Sequence, residues 1–179
     1  ANANLIKKVY FPRIILPVLA MMFVSMGIRI QAYGITENRY LVLAAGLWVT
    51  GAMIYLIFVK NPRNVTLAIA AALIAVISVV GPVSSFSVSK YSQNRRFENL
   101  LEKNDMLKNG AIAPVSGKIS SDDKEQISSI LLYFDRNHKL KELKYLPEDF
   151  ELGRMKEVFG FELIRVGERA EKYFSYNLE

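Results

Sequence analysis

The sequence predicts an all-α membrane protein: three transmembrane helices followed by a small helix-dominated soluble domain with at most a minor β element. Two observations carry that prediction. Residues 41–59 and 65–88 are apolar runs without a charge, separated by Lys60-Asn61-Pro62-Arg63-Asn64. Each is about 20 residues long, the length a helix needs to cross roughly 30 Å of hydrocarbon. A soluble core helix would interrupt such a run with polar residues to give itself a wet face. The second observation is charge. Residues 1–90 hold eight bases against the single acid Glu37, while residues 91–179 hold fifteen bases against sixteen acids. The net charge of +6 therefore lies beside the apolar runs, where basic residues set topology and meet anionic headgroups.

This reading divides the chain into a transmembrane region, residues 1–89, and a soluble domain, residues 90–179. The helices are expected at about 9–30, 40–59 and 65–86. The charge distribution argues against nucleic acid as a partner, since that needs a clustered basic face on the soluble part. With no cysteine, disulfides, thiolate catalysis and cysteine metal sites are excluded. Ala1-Asn2-Ala3-Asn4 does not read as a signal peptide; it and Leu178-Glu179 are expected to be additions at the ends of a fragment.

The first helix contains Arg13, Pro12 and Pro17. It crosses if Arg13 and Arg29 reach the headgroups at its two ends; a surface-lying helix is the alternative. Pro12 suits a first helical turn and Pro17 should bend the helix. Gly34 can supply the positive φ of a turn, Thr36 can cap the second helix, and Glu37 suits its first turn. In the second helix Gly46 and Thr50 form a small-xxx-small pair, and mid-helix Trp48 should pack on a neighbour. Ala68, Ala71, Ala72, Ala75 and Ser78 are expected to give the third helix a small face against the second. Gly81-Pro82 should weaken its end, with the serines from Ser84 to Ser89 leading out.

Beyond Lys90, Phe97, Leu100, Leu101 and Leu107 recur at helical spacing, with Asn109-Gly110 as the stop. Residues 111–120 read as an extended loop. Asp122 and Glu125 open a helix whose buried stripe is Ile127, Ile130, Leu131 and Phe134. Leu140, Leu143 and Leu146 form a short amphipathic piece ended by Pro147. Met155, Val158 and Phe159 predict a short helix with Gly160 as its stop. Residues 161–166 are the one plausible strand, with a partner around 173–176.

The candidate functional cluster joins two polar stretches: Tyr33, Glu37, Asn38 and Arg39 from one, and Gly81, Pro82 and Ser85 from the other. On the plain reading Glu37 is a helix-start charge, Arg39 a headgroup anchor and Gly81-Pro82 a helix end. On the functional reading Glu37 and Arg39 line a polar cavity, and Gly81-Pro82 is a broken helix of the sort that lines a transport site. His138 with Asp135 offers too few ligands for a metal. Asp122-Asp123-Lys124-Glu125 is better explained by capping than by paired-carboxylate chemistry. No nucleophile, phosphate-loop or dinucleotide motif is present. Catalytic residues and cofactors are therefore not expected.

Tyr33-Gly34-Ile35-Thr36-Glu37-Asn38-Arg39-Tyr40, Gly46-Leu47-Trp48 and the stretch from Gly81-Pro82 to Ser89 resemble the C-terminal part of the bacterial DUF4153 membrane-protein family. Leu100-Leu101, Asn109-Gly110, Ile127-Ser128-Ser129-Ile130 and Leu146-Pro147-Glu148-Asp149 fit the same pattern. That family is polytopic and of unknown function. The resemblance implies a piece of a longer protein whose upstream helices are further partners, in the bacterial inner membrane, and it brings no catalytic residues. The expected function is a non-enzymatic membrane interaction or regulatory module, with the lipid bilayer and a protein partner for the soluble domain. The alternative is part of a transporter or channel. With three crossings, the near-membrane bases divide evenly between the two sides. Lys103 and Lys108 then tip the soluble domain towards the cytoplasm.

Overall fold

The computed structural model describes residues 2–59 and 61–165, with residues 2–10 and 12 in their backbone only. Over that range the chain is mostly helical, with two short strands. It divides after Ser92 into two compact units. The first unit holds α1 (Asn2–Tyr33), α2 (Glu37–Phe58), α3 (Asn64–Val79) and the beginning of α4 (Ser85–Lys103).

Two stretches, Arg13–Tyr33 and Glu37–Phe58, are long and apolar enough to cross a membrane. The expected third crossing is shorter than its apolar run. α3 has 16 residues, about 24 Å at 1.5 Å per residue. It was expected to reach residue 86, but Pro82 has no N–H to offer the Ser78 carbonyl. Gly81, at φ 91°, leaves the right-handed helix altogether. The chain then restarts as α4, so the serines form a new helix rather than a lead-out. Ser84 Oγ accepts from the Ser87 N–H at 3.4 Å, as an N-cap does.

α1 is longer than expected at both ends and continuous through Pro12 and Pro17, so Pro12 does not lie in its first turn. Where no water reaches the backbone, helix remains the cheapest conformation even around a proline. Ile15, Leu16, Leu19, Met22, Phe23, Met26 and Ile30 are half-buried. Phe11, Ile14, Val18, Met21, Val24 and Ile28 form the opposite, exposed stripe. Large apolar residues facing outward at helical spacing suit a hydrocarbon surround.

α2 packs against both neighbours; its Gly46 faces α1, whereas Ala44 and Ala45 line a groove towards α3. A Cβ on Gly46 would lie 2.4 Å from Met22 Cε and 3.2 Å from Phe23 Cζ. Thr50 Oγ1 turns back to the Gly46 carbonyl at 2.8 Å. Towards α3, Trp48 donates from Nε1 to the Leu67 carbonyl at 3.3 Å, so it does pack on a neighbour. Leu67, Ala70, Ala71, Ile74 and Ser78 are covered, whereas Ala68, Ala72 and Ala75 are exposed. Of the expected face, Ala71, Ala75 and Ser78 line the groove towards α2, whereas Ala68 and Ala72 are exposed and do not hold α2.

The second unit is built on the rest of α4, the hairpin β1 (Leu107–Lys108) and β2 (Ala111–Ile112), α5 (Ser121–Asn137) and α6 (Met155–Phe159). Asn109-Gly110 is the hairpin turn and not a helix stop. Both residues have positive φ, 51° and 76°, the combination a type I′ turn requires. Leu107 accordingly lies on a strand. Ser120, rather than Asp122, caps α5 by accepting from the Asp123 N–H at 3.0 Å. Ile127, Ile130, Leu131 and Phe134 are buried as expected, against Phe97, Leu101 and Met106. Phe159 joins the core with ring centroids 5.7 Å from Phe150, 6.0 Å from Phe161 and 6.1 Å from Phe97. Gly160 ends α6 at φ 79°, and a Cβ there would meet the Val115 nitrogen at 3.2 Å.

The minor β element is therefore the 107–112 hairpin. Residues 161–165 form no strand. The Ile164 N–H goes instead to Ser128 Oγ on α5, at 3.1 Å, and one helix side chain cannot propagate a ladder. The expected partner around 173–176 lies outside the described residues.

Asp123 is buried at 2% exposure. Burial raises its pKa, but the ion pair with Lys103 (2.8 Å) and hydrogen bonds from Ser120 and Asn104 outweigh it and hold the group below the ordinary aspartate value. A depressed folded-state pKa stabilises the fold above the unfolded value, about 4, and that contribution is lost as pH falls through the folded value. Asp123→Asn should therefore lower stability at neutral pH and flatten its acid dependence below about pH 4. Pulse proteolysis of the 121–137 segment across pH reads both effects.

Gly46→Val should loosen the contact of α1 with α2, since a side chain there must displace Met22 Cε and crowd the Phe23 ring. Gly51→Ala should be tolerated, because a Cβ there meets nothing within 4 Å. Thermal aggregation midpoints in detergent distinguish the two: a drop for the first, little change for the second.

Candidate functional site

The polar residues of the first unit gather where the α1/α2 turn meets the start of α4. α1 closes with the Gly34 N–H on the Ile30 carbonyl (2.8 Å) and Gly34 at φ 71°. Thr36 occupies the N-cap position of α2 with extended backbone, but its side chain makes no capping bond. Arg39 turns back over the turn. Its Nη1 donates to the Gly34 carbonyl at 2.7 Å, and its guanidinium lies 5.6 Å from the centre of the Tyr33 ring. One cation thus satisfies a helix-end carbonyl and stacks on an aromatic face.

Glu37 reaches α4. Its Oε1 lies 2.6 Å from Ser89 Oγ, which is also 3.1 Å from the Phe86 carbonyl. Ser89 has one hydroxyl proton, and the shorter, charge-assisted bond takes it. The Ile35 N–H donates to Ser92 Oγ at 3.0 Å. The Tyr40 hydroxyl donates to the Val83 carbonyl at 2.6 Å. These three contacts run in antiparallel register, 35 with 92, 37 with 89 and 40 with 83. They join the two polar stretches picked out in the sequence.

The predicted residues fare differently. Tyr33 and Arg39 meet each other, and Glu37 meets α4 through Ser89 rather than Ser85. Ser85 is buried at 2% exposure. Gly81 and Pro82 are exposed; the Gly81 carbonyl accepts from the Ser84 N–H at 3.2 Å and from Ser87 Oγ at 3.3 Å. Asn38 is exposed. Sequence reasoning missed Ser89 and Ser92. The signal was there: Ser85, Ser89 and Ser92 fall at i, i+4 and i+7, one face of a helix, once the serine run is read as helical.

A second feature lies between α2 and α3. It is an apolar groove of about 300 Å³ lined by Ala44, Ala45, Trp48, Ala71, Ile74 and Ser78 among others. Its lining offers no carboxylate, histidine or amine, and one hydroxyl, that of Ser78. Among the described residues no three His, Asp or Glu side chains gather as metal ligands. His138 has a side chain only 7% exposed.

Residues 9–112 match the profile of a domain of unknown function, DUF4153. The chain belongs to the DUF4153 family. The match takes in α1 from Val9, α2, α3, α4 and the hairpin, and so contains every contact of the junction just described. The similar-looking stretches at Ile127 and Leu146 lie beyond the matched span. No curated protein and no solved structure matches this DUF4153 chain.

Ser89→Ala should destabilise the junction by about 1.5–3 kcal/mol, the worth of a hydrogen bond to a charged group, and Tyr40→Phe by about 0.5–1.5 kcal/mol. Trp48 is the only tryptophan and lies in the same unit. Its fluorescence during denaturation in mixed micelles measures both changes.

Proposed function

We propose that this DUF4153 chain is a non-enzymatic membrane interaction or regulatory module in a bacterial cytoplasmic membrane. Its junction of Tyr33, Glu37, Asn38, Arg39, Gly81, Pro82 and Ser85 would fix the approach to a soluble domain formed by residues 90–179. The observation that carries this reading is that the junction's polar groups bond one another: Glu37 with Ser89, Arg39 with the Gly34 carbonyl, Tyr40 with the Val83 carbonyl. Groups so engaged build a joint. The same reading makes α3 a third crossing, its shortness met by tilt-free packing and local thinning of the bilayer, with Val65, Ile69, Leu73 and Val76 facing lipid. Further helices of the longer protein and a protein partner for the soluble domain complete the proposed assembly. A cytoplasmic soluble domain follows from the balance of flanking bases.

A part in a transporter or channel is the second reading. It is favoured by the meeting of the 33–40 turn with the Gly81-Pro82 break, since broken helices opposite ionisable residues mark transport sites.

Single cysteines test the topology cleanly in a chain that has none. Three crossings put Asn61→Cys and Lys141→Cys on opposite faces, so an impermeant maleimide should label only Asn61→Cys in intact cells. Labelling of both or neither removes the third crossing; labelling of Lys141→Cys alone reverses the orientation. Ion flux into proteoliposomes that disappears in Glu37→Gln would establish the transport reading over the module.

A further inference from the structure

The groove between α2 and α3 has two unlike ends. The Tyr40 hydroxyl on the Val83 carbonyl sets the start of α2 beside the end of α3, so Leu41 lies at the same end as Ser78 and Val79. Trp48 Nε1 on the Leu67 carbonyl sets the other end, which Trp48 and Ala71 line. Leu41 and Trp48 are seven residues apart, as are Ala71 and Ser78, two helical turns or roughly 10 Å. Between the ends the walls are methyl groups, from Ala44 and Ala45 on one side and Ala75 on the other. Side chains this small leave a space of about 300 Å³ rather than closing it.

Ser78 is the hydroxyl of this space. It is 4% exposed, and its side chain bonds to no described group. A serine or threonine in a helix commonly returns its proton to the carbonyl one turn back; Thr50 does so on α2, and Ser78 does not. A covered hydroxyl without a partner costs free energy, and walls facing a void forfeit dispersion contacts. The space therefore suits an occupant that is apolar along its length and carries a hydrogen-bond acceptor at the Ser78 end. Water is not such an occupant, since one hydroxyl among alkyl walls gives it too few partners. A crossing helix is not one either. Its carbonyls are committed to its own ladder, and a 10 Å length of helix, 10–12 Å across, takes up roughly 800–1,100 Å³. An ester-linked hydrocarbon chain meets both demands.

We propose that the groove holds one acyl chain of a membrane phospholipid, its ester carbonyl accepting from Ser78 Oγ and its methylenes running between the alanines to Trp48. The proposal rests on α2 and α3 standing in the bilayer, as proposed above. Ser78 then lies one turn before the Gly81-Pro82 break, at the end marked by Tyr40, a residue type that gathers at the membrane–water boundary. Leu47, Leu73 and Ile77 are exposed on the same two helices, so the groove opens on a surface suited to hydrocarbon. A bilayer supplies its own lipid in excess, and mass action favours occupancy of even a weak site.

Bromine on a lipid chain quenches tryptophan on contact, and Trp48 is the only tryptophan. The full chain is reconstituted in vesicles of ether-linked phosphatidylcholine containing a small, rising fraction of phosphatidylcholine brominated in mid-chain, either ester-linked or ether-linked. The ester lipid should reach half-maximal quenching at an about twofold to tenfold lower fraction than the ether lipid, what one hydrogen bond is worth. Ser78→Ala, which removes a single oxygen, should make the two lipids equal. Ala75→Leu, which adds carbons to the groove from an exposed position, should raise the fraction needed for both. Equal quenching by the two lipids in the parent chain, or an ester preference that survives in Ser78→Ala, overturns the site while leaving α2 in the bilayer. Quenching by neither lipid, with bromine at any depth of the chain, overturns the membrane reading itself and the site with it.

Discussion

An apolar helix can end beside a bilayer only if something accepts or supplies the hydrogen bonds its backbone gives up. In this chain the backbone groups left open by a helix end lie at Gly81-Pro82, where α3 stops and α4 has not begun. The Val83 carbonyl receives the Tyr40 hydroxyl. The Gly81 carbonyl receives the Ser84 N–H and the Ser87 hydroxyl. The serines that follow the break are thus its repair. Because Tyr40 belongs to the first turn of α2, the repair also fixes α2 against the start of α4. The bond of Glu37 to Ser89 and that of Ile35 to Ser92 follow in register. The position of the α1/α2 turn depends on how this one helix break is satisfied.

The two units use their apolar residues in opposite ways. In the first, large side chains from Phe11 to Tyr91 are exposed, while the contacts between helices are made by small residues and by aromatic side chains reaching carbonyls. That is the economy of helix packing without a hydrophobic drive between helices. In the second unit, among the described residues, no large apolar side chain is exposed. Its core closes around Phe97, Phe134 and Phe159 in the ordinary aqueous manner. The change falls within α4, whose first turns present serines and whose last turns present Phe97, Leu100 and Leu101.

Much of this was legible in the sequence, and the misreadings share a cause. The apolar runs announced α2 and α3, and the stripe from Ile127 to Phe134 announced α5, because burial leaves a periodic mark in composition. What composition does not carry is which backbone conformation a polar or glycine-containing stretch adopts. Asn109-Gly110 was read as a stop and is a hairpin turn; both roles use the same positive φ, and only the pairing of Leu107 with Ile112 decides between them. The serine run after Pro82 was read as a lead-out because serine is a poor helix former, although its spacing fits a helix face. Of the alanine face of α3, Ala71, Ala75 and Ser78 meet the groove towards α2 and Ala68 and Ala72 do not, because composition alone does not carry a helix's rotation. Of the candidate cluster, the sequence located both halves but not the serines that join them.

The arrangement of Glu37 bears on how the junction can work. It stands in the first turn of α2, where the unpaired N–H groups of a helix leave a partial positive charge that a carboxylate offsets. Ser89, fully buried, gives it a hydrogen bond from a second helix. Arg39, the nearest opposite charge in sequence, is turned away onto the Gly34 carbonyl and the Tyr33 ring. Glu37 is thus engaged by a hydroxyl and Arg39 by a backbone carbonyl. That allocation ties the α1/α2 turn to α4 through side-chain bonds.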